Sequence, residues 1–230
     1  MINAIIESLT DDDDLTKPLL KTLVFAKRIE NTELADWVSK ELNGYSISDN
    51  LPDYRYAKTS VTGVMMQNGQ LTNNVSLPLS CFGEKIAEIL MKKRFSDSIS
   101  AIDGMVKFAD GPYIGSDFAA DFLQHLTQQA QKNGCKFQVV SCRQLVMVSV
   151  LSSINTVIRT KLLNLLLQIE KEFPKVNEVN KDPELKSELN STVNYYMGSI
   201  YNIQSAGDQN IVNTGDASSM QSTSLPSGIS

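Results

Sequence analysis

The chain carries a single histidine, three cysteines and no surplus of positive charge, and each shortage removes a class of function. His125 lies in the helical pattern DFAADFLQHLTQQAQ with no serine, cysteine or metal-ligating residue at a telling spacing, so it reads as an ordinary surface or boundary residue and not as an acid-base group. Cys81, Cys135 and Cys142 are odd in number and contain no C-x-x-C pair, which predicts buried free thiols and neither a disulfide framework nor a zinc site. A formal net charge of -5 supplies no strong nucleic-acid or anionic-membrane signal. Apolar runs are short: LVMVSVL at 145–151 and LLNLLL at 162–167 fall well below the roughly 20 residues of a bilayer span. MINAIIESLTDDDD lacks the positively charged start of an export signal, so a soluble, cytoplasmic protein is expected.

Chemical signatures are absent too. The sequence has no P-loop, no G-x-S-x-G, no H-E-x-x-H and no G-x-G-x-x-G, and no cofactor is expected. Pro52-Asp53 is compatible with the first acid of a metal-dependent nuclease. The hairpin that follows lacks the acid-x-Lys pair needed to hold the metal and orient water.

What is present is enough apolar content, 42% of 230 residues, for a conventional core. Leu15, Leu19, Leu20, Leu23, Val24 and Phe25 recur at helical spacing over 15–29, behind four aspartates at 11–14 that suit the positive end of a helix dipole. Asn31 and Thr32 break this helix and cap a second, which carries Leu34, Trp37, Val38 and Leu42 and stops at Gly44. Strands are predicted at about 56–66 and 71–78, joined by the hairpin signal Asn68-Gly69. Helices over 83–94, 96–107 and 116–133 follow, with DGPYIGS as a loop and KFQVV at 136–140 as a possible third strand. Ser141 and Gln144 read as a capping box opening a spine helix over 142–173, about 48 Å long. Arg159 sits within its apolar run, which predicts a paired, partly buried guanidinium with Asp53 or Glu41 as its partner. The fold class is α+β, mainly α-helical.

WVSKELNGY (37–45), LPDYR (51–55) and INTVIRTKLLNLLLQIEKEFP (154–174) resemble the AbiTii domain over residues 1–174. The resemblance implies a bacterial antiphage, abortive-infection role and brings no catalytic mechanism with it. Its motif positions here are Trp37, Glu41, Asn43, Gly44, Tyr45, Pro52, Asp53, Tyr54, Arg55 and Arg159. They read as architecture, with Gly44 as a helix stop, the tyrosines packed and Arg55 paired to Glu41, or as a direct ligand or partner site.

After Pro174 the composition turns polar, and residues 175–196 read as a linker with one short helix near 183–190. Asn202, Ile203, Gly207 and Asp208 then recur eight positions later as Asn210, Ile211, Gly215 and Asp216. Two such units bury almost nothing alone, and stacked repeats need about three copies. Residues 197–216 are therefore expected to form a β clasp between chains through Ile200, Ile203, Ile211 and Val212, or else a disordered polar tail, with 217–230 disordered. The expected function is non-enzymatic defence through self-association and contact with a phage or host protein. The alternatives are a metal-dependent nuclease and, last, a nucleic-acid-binding regulator, against which the DDDD run argues by repelling phosphate.

Overall fold

The computed structural model describes residues 1–11, 14–176, 179 and 182–201. The fold is α+β and mainly helical, with eight α-helices and six short strands among the described residues. Two apolar clusters organise it, one gathered by helices and one beneath a sheet.

The chain opens with α1 (Ile2–Asp11), which the sequence reading did not anticipate; Ile2, Ile5 and Leu9 form its buried face. Asp14 accepts a hydrogen bond from the Thr16 amide at 2.8 Å, which holds its carboxyl below the usual range and opens α2 (Thr16–Arg28). Asn31 caps α3 (Thr32–Asn43) by accepting from the Leu34 amide at 2.8 Å. Gly44 ends α3 at φ +92°, and a Cβ there would meet the Ser96 carbonyl oxygen at 2.8 Å. Only glycine satisfies both the dihedral and the close approach.

The expected strand at 56–66 divides. β1 (Tyr56–Lys58) pairs with β4 (Lys92–Arg94), the extended continuation of α4 (Glu84–Met91), whereas β2 (Ser60–Gln67) turns away into a larger sheet. β2 and β3 (Gln70–Ser76) are joined through Asn68 and Gly69, both at positive φ, as the hairpin signal predicted. After α5 (Ile99–Lys107), capped by Ser98, the expected loop at 110–116 is largely β5 (Tyr113–Asp117). α6 (Ala120–Lys132) leads to β6 (Gln138–Met147), and the antiparallel sheet has the order β3-β2-β6-β5.

β6 is longer than expected and corrects the capping-box reading. Cys142, Gln144 and Val146 are buried while Arg143 and Met147 are exposed, a period of two that belongs to a strand. Gln144 donates to the carbonyl oxygens of Ile89 and Leu90 at 3.2 and 3.1 Å, and Ser141 accepts from the Val64 amide at 3.1 Å. The spine helix is therefore α7 (Val148–Glu172), about 37 Å long. It is the one described helix long and apolar enough to cross a bilayer, yet Leu151, Ile154, Ile158, Leu162, Leu165, Leu166 and Ile169 pack into the protein core.

The polar segment after Pro174 contains a full helix, α8 (Pro183–Tyr201), started by Asp182, whose carboxylate accepts from the Glu184 and Leu185 amides at 3.1 Å. Leu189, Val193, Met197 and Ile200 are buried in the same cluster as α1, α2, α3, α5 and α7. Asn31 donates to the side-chain oxygens of Asn190 and Asn194 at 2.9 and 2.7 Å, pinning α8 across the α2–α3 turn. Ile200, expected in the clasp, is a core residue at 1% exposure. Ile203, Ile211, Val212 and the repeat lie outside the described residues.

The cysteine expectation is corrected. Cys81 and Cys135 form a disulfide that ties the short turn Leu79–Phe82 to the loop after α6; Cys142 is free, and burial pushes its thiol up to about 11. The two partners are 54 residues apart, a loop long enough for the cross-link to be worth about 4 kcal/mol. Cys81→Ser is expected to lose that much in urea denaturation under non-reducing conditions and to match the unaltered protein in excess dithiothreitol. A deficit that persists under reduction would assign the effect to packing instead.

Candidate functional site

The motif residues from WVSKELNGY and LPDYR converge. α3 presents Trp37 and Glu41 one turn apart on its inner face, the Gly44 stop swings Tyr45 back beneath it, and the turn Asp53–Arg55 brings up Tyr54 and Arg55. Glu41 and Arg55 are both 0% exposed and ion-paired through Oε2 and Nη2. Tyr45 and Tyr54 each donate from the hydroxyl to Glu41 Oε1 at 2.6 Å, and Trp37 Nε1 donates to the Tyr54 hydroxyl at 2.9 Å. The second arm of Arg55, Nη1, donates to the Asp97 carbonyl at 2.7 Å, and its guanidinium stands 5.3 Å from the Tyr45 ring centroid. Backbone bonds close the surround: Tyr45 N to Ser96 O at 2.7 Å and Phe95 N to Arg55 O at 2.8 Å. The network thus ties α3 to the segment between β4 and α5.

A buried charge persists only when its hydrogen-bonding capacity is met. Here one carboxylate receives two phenols and a guanidinium, an arrangement that suits holding chain segments together. Arg55 Nε alone of this cluster is a buried nitrogen without a partner.

Burial, and next the charge of Glu41, push the Tyr45 and Tyr54 hydroxyls well above the ordinary tyrosine value. Both stay neutral in the folded protein and ionise readily once unfolded, so their stabilisation is complete below the unfolded value of about 10 and is lost as pH rises beyond it. The unfolding free energy is expected to fall by up to about 2.8 kcal/mol per pH unit above pH 10 from these two groups. Lys93 and Lys161, lowered by burial, act in the opposite sense. Urea denaturation from pH 9 to 11.5 reads the slope, and a flat profile contradicts it.

Other motif residues lie elsewhere. Asn43 is exposed and donates to the Ser39 carbonyl at 2.9 Å, and Pro52 is buried with its carbonyl accepting from the Arg55 amide at 2.9 Å. Arg159 pairs with neither Asp53 nor Glu41; its Nη1 donates to the Leu9 carbonyl near the C-terminal end of α1, where carbonyls lack intrahelical partners. Glu41 is already committed to Arg55, which explains why the expected pairing fails.

Asp53 points to a separate feature that the sequence reading missed. It lines a cleft of about 800 Å³ together with Tyr56, Lys58, Thr59, Glu88, Met91 and Lys92. Nothing in the spacing of these residues signals their meeting, because β1 and β4 are brought together by the intervening sheet hairpin and α4. Tyr201, at the end of α8, was also missed: burial raises its hydroxyl above the ordinary tyrosine value, and the charges of Lys40, Asp36 and Glu41 act on it, which places the end of α8 beside the buried network. Among the described residues no group of three or more His, Cys, Asp or Glu side chains is arranged to hold a metal ion.

No curated protein and no solved structure matched the chain. One family model matches it, AbiTii, over residues 1–195, a span that includes the buried Glu41–Arg55 network, α7 and most of α8. The chain belongs to the AbiTii family.

Proposed function

We propose that the protein serves bacterial antiphage defence through protein contacts and self-association, as a cytoplasmic sensor or regulator of a toxic response. Membership of the AbiTii family supports the abortive-infection role. The observation that carries the non-enzymatic part is the burial of the motif: Glu41 and Arg55 are at 0% exposure and ion-paired to one another. With the motif spent on holding the fold, recognition falls to surfaces and to the repeat beyond Tyr201. The partner is a phage or host protein, and the repeat residues Ile203, Ile211 and Val212 join copies of the chain. Phage plating on bacteria expressing the protein tests this reading. Ile203→Asp with Ile211→Asp is expected to abolish protection while the folded protein accumulates normally; undiminished protection contradicts it.

A second reading, a metal-dependent nuclease, is favoured by the position of Asp53 in one cleft with Glu88, Lys58 and Lys92. Such enzymes use carboxylates for the metal and a lysine near the attacking water. RNA and DNA incubated with the purified protein, with and without Mg²⁺, separate the two. Cleavage that disappears in Asp53→Ala replaces the first reading.

A further inference from the structure

β1 and β4 form an isolated two-stranded ribbon whose register sets Lys58 directly opposite Lys92 and Tyr56 opposite Arg94. Directly opposed residues of an antiparallel pair project to one face, with Cβ atoms about 5 Å apart. Ala57, between them, is buried at 2% exposure, so Tyr56, Lys58, Lys92 and Arg94 occupy the outer face. Arg94 is engaged there, donating to the carbonyl oxygens of Ser46, Ile47 and Asp49 at 2.6, 3.0 and 3.0 Å.

Lys58 and Lys92 have no such partner among the described residues. Neither forms an ion pair among the described residues, and the Lys92 ammonium stands 4.0 Å from the centroid of the Tyr56 ring. Like charges directly opposite each other on a ladder are unfavourable. An anion placed between them offsets that repulsion, and no carboxylate among the described residues stands within ion-pair distance of either lysine.

The same face walls the cleft that holds Asp53, Glu88 and Met91. Its volume of about 800 Å³ lies within the roughly 300–1,000 Å³ of small-molecule sites. Asp53 and Glu88 form no ion pair among the described residues either, so two carboxylates stand ready to accept hydrogen bonds from hydroxyl or amino groups. Tyr56 and Met91 offer apolar surface between the two kinds of charge. A purely anionic ligand would suit the lysines and be repelled by the carboxylates. A molecule with a phosphate at one end and hydroxyl or amino donors at the other suits both.

We propose that this cleft binds a nucleoside phosphate. The phosphate sits between Lys58 and Lys92, the base or sugar lies against Tyr56 and Met91, and the donor groups face Asp53 and Glu88. The assignment goes beyond the self-association reading and does not depend on it.

Calorimetric titration of the full chain tests the assignment, with adenosine monophosphate, adenosine triphosphate and inorganic phosphate as probes, each in chelator and in Mg²⁺. Saturable binding of a nucleotide is expected below about 1 mM. Lys58→Met with Lys92→Met is expected to weaken it at least tenfold. Asp53→Asn with Glu88→Gln is expected to weaken nucleotide binding while inorganic phosphate, relieved of two repelling charges, binds no more weakly than before. Raising salt from about 50 to 200 mM is expected to weaken nucleotide binding to the unaltered protein several-fold, a readout independent of any substitution. The assignment is overturned by failure of every nucleotide to saturate at about 5 mM, by a double lysine variant that folds and binds within twofold of the unaltered protein, by inorganic phosphate binding as tightly as the nucleotides, or by nucleotide binding that salt leaves unchanged.

Discussion

Arg55→Met removes about 4 kcal/mol of folding stability, because Glu41 then remains as an unpaired buried charge. The loss comes from the stranded carboxylate and exceeds what the ion pair contributes against a well-packed apolar pair. Glu41→Leu combined with Arg55→Met is therefore expected to recover a large part of it, although Tyr45 and Tyr54 then lose their acceptor. Urea denaturation of both single variants and the double closes the cycle. A single variant within about 1 kcal/mol of the unaltered protein would show that the pair is incidental to the fold.

Ending the chain at Pro174 is the second large effect, and its expected outcome is loss of the fold. Removing α8 strips Leu189, Val193, Met197 and Ile200 from the helical core. At about 2 kcal/mol for each buried apolar side chain, the deficit approaches 8 kcal/mol, comparable with the whole stability of an ordinary domain, about 5–15 kcal/mol. It also exposes Asn31, which donates to Asn190 and Asn194. Ending the chain after Tyr201 keeps these four residues in place, and its melting temperature is expected to stay within a few degrees of the full chain. Thermal melts of the two truncations provide the comparison; a cooperative transition in the shorter one at the same temperature contradicts the assignment of α8 to the core.

The parts of the fold legible in sequence are those with local punctuation. Asn31 and Gly44 bracket α3, and Asn68-Gly69 fixes the β2–β3 hairpin, since cap and turn chemistry act within a few residues. The β6–α7 junction was illegible because CRQLVMVSVL satisfies a strand and a helix period over so short a window, and packing against β2 and β5 decides in favour of the strand. β1 and β4 are three residues each, too short for any periodicity. α8 was underestimated because its buried face is four residues in an otherwise polar nineteen.

The site divides in the same way. Glu41 and Arg55 are legible as a pair because both lie in family motifs. That Tyr45 and Tyr54 share one carboxylate oxygen depends on the return of the chain at Gly44. One partner of Arg159 is a backbone carbonyl, to which no residue identity is attached. Lys58 and Lys92 meet through a register set by the hairpin between them, and their isolated basic side chains carried no signal on their own.

The proposed self-association depends on the repeat beyond Tyr201 joining copies of the chain. Light scattering on the full chain and on the chain ended after Tyr201, at equal concentration and with matching circular dichroism, measures this directly. A clasp formed by the repeat gives a multiple of the monomer mass for the full chain and the monomer mass for the truncation. Equal masses for the two would contradict it.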